Sequence, residues 1–100
     1  SVRAKKSISI PEIVKMISDY YHIPDVNIYN KTRRKDVVKP RQIVMYILRE
    51  DFDISYPMIG DRLGGRDHTT VIHSYEKIKG LLKDNPQLSR EIEDIRAMLV

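Results

Sequence analysis

Gly64 and Gly65 stand back to back between a short helical pattern and a longer one, so the chain must turn sharply there. Gly64 suits the left-handed conformation that closes a helix, because it has no side chain to clash. Asp67 then occupies an N-cap position, where a carboxylate can accept from the free amides of the next turn. Val71, Tyr75, Ile78 and Leu82 follow on one face of a helix expected over Asp67 to Leu82. Upstream, Ser55 is placed to cap a short helix over Tyr56 to Leu63, with Pro57 in its first turn and Ile59 and Leu63 inward. A short helix, a glycine turn and a longer helix form the pattern of a helix-turn-helix. His68, Thr69 and Thr70 fall on the first turn of the longer helix, where a helix tip can enter a groove.

The rest of the chain reads as helices and their connections. Residues 1–7 are short and basic and are expected to be a frayed end or a linker stump from an upstream domain, leaving 8–100 as the folded unit. Ser9-Ile10-Pro11-Glu12 fits a capping box, and Ile10, Ile13, Val14, Ile17 and Tyr21 continue at helical spacing until Ile23-Pro24. Asp25 to Tyr29 is expected to add one turn, capped by Asp25. Asn30 to Asp36 is polar, aperiodic and basic, so it reads as a loop. Pro40 is expected to open a helix to about Asp51, with Ile43, Val44, Ile47 and Leu48 as its apolar face and Lys39, Arg41, Gln42 and Arg49 off that face. Phe52 is expected to plug the core after that helix. Leu88, Ile92, Ile95 and Leu99 mark a last helix after Asn85-Pro86; its acids make it a buttress facing away from any polyanion. The fold class is therefore all-α: a compact bundle of about five to six helices, containing a helix-turn-helix preceded by a basic loop.

Charge narrows the choice of partner. Residues 1–49 hold 11 Lys and Arg against 4 Asp and Glu, whereas residues 50–100 hold 7 against 10. A local basic face suits a phosphate footprint, although a solvated surface would show the same bias. No run reaches a membrane span of about 18 apolar residues, no signal peptide is visible, and the absence of cysteine fits a cytoplasmic protein. Enzyme chemistry finds no support. His68 and His73 are five apart, off the i, i+4 spacing of two ligands on one helix face, and His22 reads as a surface or cap residue. The chain has no G-x-x-x-x-G-K-[ST] loop to cradle ATP. Neither a cofactor nor a metal site is expected in it.

DNA contact needs positive charge or free amides for phosphates, and short donors and acceptors for base edges. Arg41, Gln42, Arg66 and the amides of a helix tip meet the first need. Asp67 can accept from cytosine N4, His68 can donate or accept at a base edge, and the Thr69 methyl can pack on thymine. An acid so near phosphate suggests base reading, and Asp67 can combine that role with capping. The basic loop can reach phosphates or an adjacent minor groove, where arginine is favoured by the negative potential. Two other readings stay open: a transcription-regulator helix-turn-helix reading a different site, and a basic helical module that docks a protein or an acidic membrane surface.

The string Gly-Gly-Arg-Asp-His-Thr-Thr-Val at 64–71, with Ile59-Gly60-Asp61 and Lys39-Pro40-Arg41-Gln42 before it, closely resembles the C-terminal, origin-binding domain of the bacterial DnaA replication initiators. The likeness runs from about Ile8 to Leu82. It implies binding to double-stranded DNA at DnaA boxes in a replication origin, with helix 67–82 in the major groove and loop 31–36 in the neighbouring minor groove. By that resemblance Arg33 enters the minor groove, with Arg34 as the alternative because Thr32 and Asp36 depart from the usual loop pattern. Asp67, His68 and Thr69 are then the base readers in the major groove. Lys31, Arg34, Lys35, Arg41, Gln42, Arg49, Arg66 and Thr70 are implied on the DNA backbone. The family also implies an ATP-binding domain upstream, self-assembly of the full-length initiator at the origin, acidic phospholipid contact near the linker, and a place in the bacterial cytoplasm. The isolated domain is expected to be monomeric, since no dimer helix is evident and an asymmetric box needs no two-fold protein.

Overall fold

A computed structural model describes residues 8–100; the expected linker over 1–7 lies outside them. Six helices follow one another: α1 (Ile10–Tyr20), α2 (Val26–Tyr29), α3 (Lys35–Glu50), α4 (Tyr56–Arg62), α5 (His68–Leu81) and α6 (Pro86–Leu99). Every described residue outside them is turn, bend or irregular, so the fold is all-α as expected.

Local chemistry starts several of these helices. Ser9 and Glu12 close a reciprocal capping box, the Glu12 amide donating to Ser9 Oγ at 3.3 Å and the Ser9 amide to Glu12 Oε1 at 2.9 Å. Ser55 Oγ accepts from the Met58 amide at the head of α4, and Asn85 Oδ1 from the Leu88 amide at the head of α6. Asp25 precedes α2 without a side-chain capping bond, contrary to the expected role.

The helix α3 begins five residues earlier than the proline suggested. Arg34 is its N-cap, and the Arg34 carbonyl accepts from the amides of Val37 and Val38. Val37 is fully buried, so the apolar face that drives the helix starts there. Pro40 therefore sits inside α3, where it forfeits the bond its amide would have made to Asp36. The loop shrinks to 30–34, and Lys35 and Asp36 join the first turn of the helix.

That helix is the centre of the molecule. Ile43, Val44, Met45, Ile47 and Leu48 are essentially inaccessible, and α1, α2, α4 and α5 all pack against it. Burying apolar side chains at about 25 cal/mol per Å² makes this shared core the main source of stability. Phe52 lies partly buried against it after the helix ends. The last helix, α6, seats Leu88, Ile92, Ile95 and Leu99 in the same core. It is further tied down by Arg96, which donates to both carboxylate oxygens of Asp51 at 2.9 Å. None of these helices is long and apolar enough to cross a membrane.

Candidate nucleic-acid interface

The α4 and α5 helices meet at the glycine turn through Ile59, Leu63 and Val71, all fully buried. Gly64 and Gly65 both have positive φ, at 85° and 73°, which gives the turn its sharpness. Gly60 closes the same corner, since a Cβ there would lie 2.1 Å from the Arg66 carbonyl oxygen. The Arg66 amide completes the turn by donating to the Gly60 carbonyl at 2.7 Å.

Behind the turn, α5 is held against α3 by aromatic contacts. Tyr46 stacks on Tyr75 with centroids 5.4 Å apart, and Tyr56 meets Tyr75 edge-on at 5.9 Å. The Tyr75 hydroxyl donates to Glu50 Oε1 at 2.5 Å, and this bond to a carboxylate holds the phenol well above its ordinary pKa. The first turn of α5 is thereby presented from a fixed base. Asp67, His68, Thr69 and Thr70 are all exposed, and Val71 immediately after them is buried.

Asp67 stands at the N-cap with extended backbone, but its carboxylate makes no capping bond. Its Oδ1 lies 3.2 Å from His68 Nδ1, on the outer surface. The helix tip is closed through the Asp67 carbonyl, which accepts from the amides of Thr70 and Val71. The carboxylate is thus turned outward, where an incoming donor can use it.

The basic loop lies beside this tip. Lys31 Nζ donates to the Gly64 carbonyl at 3.3 Å, and the Arg66 guanidinium donates to Asn30 O. Within the loop, Asn30 Oδ1 accepts from the Thr32 amide and Thr32 Oγ1 from the Arg34 amide. Thr32 breaks the basic run in sequence but stitches the loop in space. Arg34 forms a two-pronged pair with Asp36 at 3.1 and 3.2 Å. Arg33 is exposed and has no hydrogen bond or ion pair among the described residues.

Three arginines expected on the DNA backbone also have partners within the protein. Arg41 is 7% exposed, and its guanidinium donates to the carbonyls of Asn27, Ile28, Asn30 and Thr32. Arg66 is half-buried, with its guanidinium on the carbonyls of Ile28, Tyr29, Asn30 and Leu63. Arg49 lies over the Tyr56 ring at 4.8 Å and donates to Ile54 O at 3.4 Å. The physical reason at Arg41 and Arg66 is the short α2, whose carbonyls have no further turn to pair with and take guanidinium donors instead. Desolvation lowers the pKa of both groups, and at Arg41 the charge of Arg66 adds to it. Lys35 and Thr70 are exposed, and Gln42 is partly exposed beside Lys39 and Lys77.

A helix-turn-helix with an exposed recognition tip and a basic loop fastened beside it defines the class. Residues 10–78 match the model of the bacterial dnaA protein helix-turn-helix. The chain belongs to that family. Over 99 residues, 99% of its length, it is 46% identical to the chromosomal replication initiator protein DnaA of Enterococcus faecalis, and it spans 22% of that relative.

Proposed function

We propose that this chain binds double-stranded DNA in a sequence-specific manner, at DnaA boxes of a replication origin, and so serves initiation and regulation of replication in the bacterial cytoplasm. The observation that carries this reading is the exposed run Asp67 to Thr70 at the tip of α5, with unpaired Arg33 on a loop bound to the same turn. The tip enters the major groove. There Asp67 accepts from a base amino group, His68 bonds a base edge and the Thr69 methyl packs on thymine. Arg33 enters the adjacent minor groove, in preference to Arg34, whose guanidinium is already paired with Asp36.

Lys31, Lys35, Gln42, Thr70 and the amides opening α5 contact phosphates and fix the register. The folded unit over 8–100 works as a monomer on an asymmetric box, whereas assembly along an origin and ATP binding belong to upstream parts of a longer initiator. Acidic phospholipid contact, expected near the linker, belongs to the same longer protein.

The test is fluorescence-anisotropy titration against a DnaA-box duplex and a scrambled duplex of equal composition, across a salt series. Non-specific affinity falls steeply with salt, so a preference that survives at physiological ionic strength reports base reading. The box should win there, and Thr69→Ala and Arg33→Ala should each shrink its advantage. Equal binding to both duplexes would leave only a general anion surface.

A further inference from the structure

Loop 30–34 has no apolar residue to anchor it, yet it carries the one arginine proposed for the minor groove. Its position is set from below and from the side by two guanidinium groups, with no carboxylate among their hydrogen-bond partners in the described residues. From inside α3, Arg41 donates Nε to Ile28 O at 3.1 Å, Nη2 to Asn27 O at 2.7 Å and Asn30 O at 3.1 Å, and Nη1 to Thr32 O at 2.9 Å. From the glycine turn, Arg66 donates Nη2 to Asn30 O at 2.5 Å and Nη1 to Ile28 O and Tyr29 O at 3.3 Å each. Two acceptors, Ile28 O and Asn30 O, are shared between the arginines.

The turn side of this junction admits no slack. A Cβ on Gly64 would stand 2.2 Å from the Tyr29 carbonyl oxygen, so the two backbones already touch. Cations at the carbonyl end of α2 are also favoured by its peptide dipoles, which offsets the cost of burying two like charges together.

We infer that Arg66 and Arg41 are positioning residues for recognition: they lock the loop bearing Arg33 at a fixed offset from the first turn of α5, so that both grooves are read by one rigid surface. The inference rests on the DNA-binding reading above and adds to it which residues set the geometry. It assigns the two arginines to carbonyls, not phosphates. The planar fork is therefore what matters, and charge alone will not replace it.

Arg66→Lys separates these roles, because it keeps the charge and loses the fork. The probes are the box duplex, the scrambled duplex, and a box duplex with 2,6-diaminopurine for adenine, which adds an amino group in the minor groove. Wild type, Arg33→Ala, Arg66→Lys and the double variant are titrated, with folding checked by circular dichroism. Arg66→Lys should lose about tenfold on the box, as Arg33→Ala does. It should leave scrambled affinity and salt slope unchanged, and it should abolish the diaminopurine penalty expected of wild type. The double variant should bind no more than about twofold below either single variant, since both remove one contribution.

Full retention of box affinity by Arg66→Lys would overturn the inference, as would losses that multiply in the double variant. An equal loss on box and scrambled duplexes would also overturn it, by indicating a phosphate contact. A second variant is independent of Arg66 folding: one glycine inserted between Thr32 and Arg33 leaves the clamped carbonyls of 27–32 in place and shifts Arg33 along the chain, at the cost of the bond from the Arg34 amide to the Thr32 hydroxyl. It should bind like Arg33→Ala, and wild-type affinity there would refute a fixed offset. A wild type without box preference would instead sink the DNA-binding reading itself.

Discussion

Gly60 lies in α4 so close to the Arg66 carbonyl that an added Cβ would sit 2.1 Å from its oxygen, whereas a Cβ on Gly80 in α5 would meet nothing within 4 Å. The same substitution should therefore have opposite signs at the two positions. Gly60→Ala should lower stability by about 1–3 kcal/mol, because backbone must shift at the turn. Gly80→Ala should raise it by about 0.5–1 kcal/mol, because a helical glycine is replaced without a clash. Urea denaturation of the two variants checks this, and a shift of like sign in both would refute the packing described. Residue by residue, what could be read from sequence was what depends on near neighbours. Gly64 announced the turn, because a glycine pair between two helical runs has few other uses. Gly60 did not, since its constraint comes from a carbonyl that reaches it only once the turn is folded. Arg41 was misleading for a related reason. An arginine reads as surface, and only the short α2 folding over it supplies the carbonyls that let it be buried.

At the scale of elements, helix starts were legible wherever a side chain does the capping, as at Ser9, Ser55 and Asn85. The start of α3 was not. Pro40 pointed to a first turn, and Lys35-Asp36 looked like loop, but the burial of Val37 carries the helix back past both. Asp67 shows the reverse case: its position at the head of α5 was correctly expected, while the capping bond was not formed. The last helix depends on a contact no periodicity announces, the two-pronged pair of Arg96 with Asp51, whose side chains are 16% and 8% exposed. Asp51→Ala would leave that largely buried guanidinium with Glu93 at 3.7 Å as its remaining carboxylate and the Tyr46 ring beneath it. A loss of roughly 3 kcal/mol is expected, the low end for a buried pair deprived of one partner. Chemical denaturation should reveal it, and a loss below about 0.5 kcal/mol, typical of a surface pair, would contradict the anchoring role assigned to α6.

Across the whole molecule, Glu91 joins three helices. From α6 it accepts from the Tyr21 hydroxyl just after α1 at 2.6 Å and pairs with Lys39 of α3 at 3.1 Å. Burial alone would raise its pKa, but the bonds from Tyr21, Gln87 and Lys39 outweigh this and hold it below the usual 4.5. A carboxyl depressed on folding stabilises the protein above its ordinary value, and that contribution is lost as pH falls through the folded one. Wild type should therefore melt above Glu91→Gln at neutral pH, and the gap should close as pH drops below about 4.5. A gap independent of pH would show that the carboxylate charge is not what joins these helices.

The same scale holds the functional claim, because a rigid core matters only if it presents the tip of α5 to bases. The most direct measurement is the affinity of wild type and Thr69→Ala for the box duplex with thymine or with uracil, which lacks only the C5 methyl. If Thr69 packs on that methyl, wild type should lose about fourfold on uracil, the value of one buried methyl-sized group. Thr69→Ala should already be weaker on thymine and lose nothing further on uracil. An equal loss in both proteins, or none in either, would contradict base reading by the first turn of α5.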